Sequence, residues 1–132
     1  MPPLPAPCAV LFVSDLPRLT SFYRSVASMT LSHGDDQHSV LDIAGFQLVV
    51  HAMRWTPESD GTNGDAPPLR EDACIKLCFP VERIDAARSM AASLGGSIQP
   101  PDREWTDRGI RACDGADPEG NVFQVRELVS GE

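Results

Sequence analysis

Hydrophobic and polar positions along the chain change period several times, and each change marks an element. "CAVLFVS", residues 8–14, is an apolar run between Pro7 and Ser14-Asp15, and predicts a strand. Leu16, Leu19, Phe22, Tyr23 and Val26 then recur at three- and four-residue steps, one face of a helix. Ser14 or Asp15 caps it, and Pro17 is tolerable only in its first turn. Residues 30–34 predict a short strand, and "HSVLDIAG" and "FQLVVHAM" predict a hairpin about Gly45. Residues 54–72 are rich in Pro, Gly, Asp and Asn and read as a long loop, a kind that is usually functional or disordered.

The same order then returns. "ACIKLCFPV", residues 73–81, predicts a strand. A helix follows, with Ile84, Ala87, Ala91 and Leu94 on its buried face and Gly95 as its stop. Ser97–Gln99 predicts a short strand and residues 100–109 a loop. "IRACDG" and "NVFQVREL" form a hairpin across Asp117-Pro118-Glu119-Gly120. A βαβββ unit thus appears twice, at an offset of about 66 residues that sets Cys8 onto Cys74. The fold class is α+β: one domain over 8–129, with modules of about 8–53 and 73–129 joined by loop 54–72, behind a proline-rich arm, 1–7.

Alternation divides the strands into two faces. The helix-facing set, Ala9, Leu11, Val13, Leu48, Val50, Ile75, Leu77, Phe79, Phe123 and Val125, is apolar throughout. The opposite face carries Cys8, Val10 and Phe12; Val49 and His51; Cys74, Lys76 and Cys78; and Val122, Gln124 and Arg126. Apolar groups with a few placed polar ones are the usual lining of a small-molecule pocket.

Charge removes some function classes. The 132 residues carry a formal net charge of −8, which argues against broad nucleic-acid or anionic-membrane partners. No stretch approaches the ~20 apolar residues of a membrane span, and "MPPLPAP" lacks the features of a secretion signal. A cytoplasmic protein is the simplest reading. Cys8, Cys74, Cys78 and Cys113 form no CxxC and are expected as buried free thiols. His33, His38 and His51 make no HxxxH or HExxH, so no helix-borne zinc motif exists.

"FVSDLPRLTSFYRSV" and "DPEGNVFQV" are similar to the opening and closing motifs of the vicinal-oxygen-chelate superfamily, the glyoxalase, bleomycin-resistance and extradiol-dioxygenase fold. The resemblance covers about residues 8–128. It implies two βαβββ modules in an incomplete barrel around a cleft, and a homodimer. It also implies metal ligands, in metal-dependent members, on the first and last strands of each half. Those positions fall on Cys8, Cys74 and Gln124, and on Val49 or His51. The usual His and Glu are absent from the first-strand and closing positions. Gln offers only a neutral amide oxygen, and Lys76 beside Cys74 brings an ammonium that suits an anion better than a cation.

The expected ligand-binding residues are therefore Phe12, His51, Trp55, Lys76, Trp105, Gln124 and Arg126, with no metal and no cofactor. Arg103, Arg108 and Arg111 alternate with Asp102, Glu104 and Asp107, and read as a self-neutralised surface. Three functions stand side by side. The first is a metal-free small-molecule binding protein. The second is a metal-dependent lyase, isomerase or dioxygenase using Cys8, His51, Cys74 and Gln124, and the third an interaction protein without a ligand. A Cys–His dyad between His51 and Cys8 or Cys74 is imaginable across the cleft, but nothing in the sequence marks one.

Overall fold

The computed structural model of the chain describes residues 4–53 and 69–129. The first module runs β1 (Cys8–Val13), α1 (Leu16–Val26), β2 (Thr30–Gly34), β3 (His38–Ile43) and β4 (Phe46–Ala52). Its sheet has the order β1-β4-β3-β2, with β1 parallel to β4 and the other pairs antiparallel. The second runs β5 (Leu77–Pro80), α2 (Ile84–Ser93), β6 (Ser97–Ile98), a 3₁₀ turn (Pro101–Arg103), β7 (Trp105–Asp107), β8 (Ile110–Ala116) and β9 (Val122–Leu128). Its sheet has the order β5-β9-β8-β6, with β7 also on β8. This is the expected α+β architecture of paired βαβββ units, with two open sheets.

Local chemistry explains the boundaries. Asp15 accepts from the Arg18 N–H at the start of α1, and Pro17 lies in the first turn. Leu16, Leu19, Phe22, Tyr23 and Val26 are all buried, as their spacing requires. Ala44 and Gly45 both have positive φ, the geometry of a tight hairpin turn between β3 and β4.

The two helices pack beneath the sheets around one apolar cluster. Val13, Leu19, Phe22, Leu41, Leu48, Val50, Phe79, Ile84, Phe123 and Val125 belong to it, from both modules. The aromatic pair of α1 crosses the module boundary: Phe22 meets Phe123 edge-on, and Tyr23 meets both Phe79 and Phe123.

Four expectations need correction. The second module's first strand is Leu77–Pro80 rather than 73–81. Only Leu77 to Pro80 find partners, Phe123 to Arg126, on β9. Ile75, expected inside, is therefore 71% exposed. The loop 100–109 contains the 3₁₀ turn and β7, because Trp105, Thr106 and Asp107 pair with Ala112, Arg111 and Ile110. Cys8, Cys74 and Cys78 are exposed and only Cys113 is buried. Cys8 and Cys78 lie on strand faces turned away from the helices, and Cys74 precedes β5.

Candidate functional site

Pairing register decides which residues are equivalent in the two modules. Ala9 lies opposite Leu48 on the parallel pair of the first module, and Leu77 opposite Phe123 on that of the second. Leu48 and Phe123 are both buried on the helix side. Ala9 therefore corresponds to Leu77, and Cys8 to Lys76 rather than to Cys74. The shift is two residues, which preserves the face and so leaves the alternation pattern unchanged. Gln124 corresponds to Val49, and His51 to Arg126.

On the second module's outer face a polar chain runs from Lys76, just before β5, across β8 and β9. Lys76 Nζ donates to both Asp114 carboxylate oxygens at 3.1 and 3.0 Å. Gln124 Nε2 donates to Asp114 Oδ1 at 3.2 Å, and Gln124 Oε1 accepts from Arg126 Nε at 2.7 Å. Asp114 and Gln124 are direct partners in the β8–β9 register, which brings the carboxylate and the amide together. Gln124 is only 6% exposed, and both ends of its amide are satisfied. The group carries two cations and one carboxylate. Sequence reasoning missed Asp114; its alternation on "IRACDGA" opposite Gln124 was the available signal.

Beside this chain lies a pocket of about 320 Å³ lined by Trp105, Asp107, Arg108, Ile110, Ala112, Gln124 and Arg126. Trp105, Gln124 and Arg126 are thus brought together. Lys76 joins them through Asp114. Trp55 lies outside the described residues.

Phe12 and His51 sit elsewhere, on the outer face of the first module. They are cross-strand partners, and His51 is in turn the partner of His38. The rings form a row: Phe12 to His51 at 5.5 Å, His51 stacked on His38 at 5.8 Å, and His38 to His33 at 5.0 Å. His51 Nδ1 lies 2.8 Å from the Ala52 carbonyl oxygen, so that nitrogen carries the proton. Phe12 is 56% exposed.

Ion pairs engage Glu104, Asp107, Arg108 and Arg111 among the alternating charges of residues 102–111. Glu104 accepts from Arg88 and lies 3.7 Å from Arg111, which also reaches Glu127 at 3.3 Å. Arg108 pairs with Asp107.

The family model described as a glyoxalase-like domain matches residues 8–126. The chain belongs to the glyoxalase-like domain family. Solved structures carry the same fold. A glyoxalase/bleomycin resistance protein from Albidiferax ferrireducens T118 is similar with a TM-score of 0.64 at 14% identity, over 91% of this chain and 95% of that one. A glyoxalase/bleomycin resistance protein/dioxygenase family enzyme from Burkholderia phytofirmans PsJN has a TM-score of 0.63 at 16% identity, over 92% and 96%. The fosfomycin resistance protein FosX from Mesorhizobium loti has a TM-score of 0.63 at 14% identity, over 96% and 93%. No curated protein sequence matches the chain.

Within this glyoxalase-like fold, the outer-face positions where the resemblance implies metal ligands hold, by register, Cys8, Val49, Lys76 and Gln124. These residues do not fit a divalent ion. Val49 has no donor atom, a lysine ammonium has no free lone pair, and the Gln124 oxygen is engaged by Arg126. Lys76 and Asp114 form an ion pair at that place instead. The alternative set Cys8, His51, Cys74 and Gln124 spans both modules. Its Cys and His members do not cluster: among the described residues, the one group of three His, Cys, Asp or Glu side chains at ligand spacing is His33, Asp35 and His38.

Proposed function

We propose that this glyoxalase-like protein binds a small organic anion on the second module's outer face, with no metal at the strand positions beside it. The observation that carries the reading is the Lys76–Asp114–Gln124–Arg126 chain along the pocket. Its two cations exceed its one carboxylate, so the site has a positive charge to spare in a chain of formal net charge −8. Trp105 supplies a flat apolar wall, and Ile110 and Ala112 an apolar floor. Among the described residues, the lining holds no thiol, hydroxyl or imidazole nucleophile, which supports binding over covalent chemistry there.

A homodimer completes the reading. Val10 and Phe12 leave apolar surface open on the edge strand β1, an arrangement that a second copy's sheet would cover. Three exposed free cysteines support a reducing, cytoplasmic setting. Among the described residues no helix is long and apolar enough to cross a membrane.

The test is a calorimetric screen of aromatic carboxylates and phosphates against their neutral amides and esters. The anionic member of a pair binds, and Arg126→Ala weakens it by about tenfold or more, the loss of a charge-assisted contact. Equal binding of neutral and anionic partners, or none by either, overturns the reading.

A further inference from the structure

The β2–β3 hairpin holds a group that the anion-binding reading leaves unused. His33 and His38 flank the turn, with Asp35 between them in sequence. His33 Nε2 lies 3.3 Å from Asp35 Oδ2, and His38 Nδ1 lies 3.2 Å from Asp35 Oδ1. All three ligand atoms fall within 4.8 Å of one another.

We propose that His33, Asp35 and His38 form a binding site for a divalent late transition metal, of the zinc, nickel or copper class, with its remaining positions open to solvent. Three features of the hairpin carry this. First, the spacing suits coordination. Atoms bonded to one ion at ~2.0–2.2 Å lie about 3.0–3.4 Å apart around a tetrahedron or octahedron. The 3.3 Å between His33 Nε2 and Asp35 Oδ2 matches one such edge, and His38 Nδ1, 3.2 Å from the other carboxylate oxygen, completes a trio of ligand atoms within 4.8 Å. Second, the carboxylate is held in place before any ion arrives. Asp35 Oδ1 accepts from the backbone N–H groups of Gln37 at 2.8 Å and His38 at 3.0 Å. Asp35 N–H closes the turn onto the His38 carbonyl at 2.9 Å. Third, the His38 ring is oriented from behind by His51, which stacks on it at 15° between planes.

The donor set decides the class of ion. Two imidazole nitrogens and one carboxylate oxygen favour zinc, nickel and copper over magnesium or calcium, which take oxygen ligands. Three protein ligands leave room for water or a further group. His33 and Asp35 are exposed, so an ion reaches them directly from solvent. The site lies in the first module, on a hairpin, and shares no residue with the Gln124 pocket. It therefore stands or falls independently of the anion reading.

Cobalt(II) added to metal-free full-length protein tests the proposal, because its spectrum separates nitrogen and oxygen ligands from the exposed thiols. The expected result is one equivalent bound at micromolar affinity, with visible ligand-field bands and no thiolate charge-transfer band. His33→Asn and His38→Asn each weaken it by about tenfold or more, while Cys74→Ser leaves it unchanged. Paramagnetic broadening of the His33 and His38 imidazole signals in the unsubstituted chain locates the ion without any variant. Dissociation constants above about 1 mM, a thiolate band at the first equivalent, or unbroadened His33 and His38 signals would each overturn it.

Discussion

The Tyr23 hydroxyl donates a 2.5 Å hydrogen bond to Oδ2 of Asp117, 94 residues away along the chain. Tyr23 belongs to the opening helix and Asp117 begins the closing Asp-Pro-Glu-Gly turn. The two stretches that carry the family resemblance therefore meet in the folded protein. Asp117 Oδ1 also accepts from the backbone of Glu119 and Asn121, which shapes the turn around it. Glu119 then reaches back to accept from the Ser14 and Asp15 N–H groups at the start of α1, at 2.7 to 2.9 Å. A carboxylate at a helix N-terminus is favourable both as a cap and against the helix dipole.

Tyr23→Phe removes the hydroxyl but leaves Asp117 its bonds from Glu119 and Asn121. The expected loss is about 1–3 kcal/mol, the range for a hydrogen bond to a charged partner, read as a lower urea midpoint at unchanged slope. No loss would show that the bond is not formed in solution.

Burial first, and then the Asp117 charge, push the Tyr23 phenol well above its ordinary value. A group raised on folding contributes stability that is full below its unfolded value and is lost as pH rises toward the folded one. Folding stability is thus expected to fall above about pH 10, where the unfolded chain loses the proton and the folded chain keeps it. Tyr23 is the chain's single tyrosine, so tyrosinate absorbance should appear together with unfolding rather than before it. Titration of the phenol in protein that is still folded by circular dichroism would contradict this.

Gln124→Glu restores a carboxylate at the closing strand position. It is expected to gain no stoichiometric zinc there, because Lys76 remains beside Asp114 and Arg126 is free to pair with the new charge. Elemental analysis of the variant against the unsubstituted protein reads this directly, after His38→Asn has been introduced into both to remove the hairpin group.

Three cysteines are exposed and one is buried. Cys8, Cys74 and Cys78 should react with a thiol reagent in native protein. Cys113, whose thiol is pushed up by burial, should react only on unfolding. Fast labelling at Cys113 under native conditions would mean that β8 opens locally.

Gly96→Ala would set a methyl group against the Phe22 ring and 2.5 Å from the Ala116 carbonyl oxygen. Backbone cannot yield there cheaply. The expected destabilisation is about 1–3 kcal/mol, measured by thermal or urea unfolding, whereas Gly34→Ala, whose added atom meets nothing closer than 3.8 Å, should cost less.

The helices, the tight turns and the apolar strand faces were legible in the sequence because each is set by neighbours a few residues away. Leu16 to Val26 repeat at helical spacing, and Phe123 and Val125 alternate with Gln124. Periodicity alone could not limit β5 to Leu77–Pro80 or turn Trp105–Asp107 into β7. Those strands exist only where β9 and β8 offer backbone partners. The same blindness misplaced the first-strand position of the second module. A slip of two residues keeps every side chain on its face, so Cys74 and Lys76 look equivalent until the register is known.

The sequence by itself determined the class of fold, the repeat and the placing of Gln124 on the face opposite the helices, since local periodicity and turn chemistry suffice for these. Only the tertiary structure decided that Asp114 sits opposite Gln124, that Lys76 answers Cys8, that Phe12 and His51 lie outside the pocket Arg126 lines, and that the His33, Asp35 and His38 side chains converge on the β2–β3 hairpin. Each of these depends on strand register and hairpin closure, which set side chains of paired strands against one another and which alternation along a single strand does not fix.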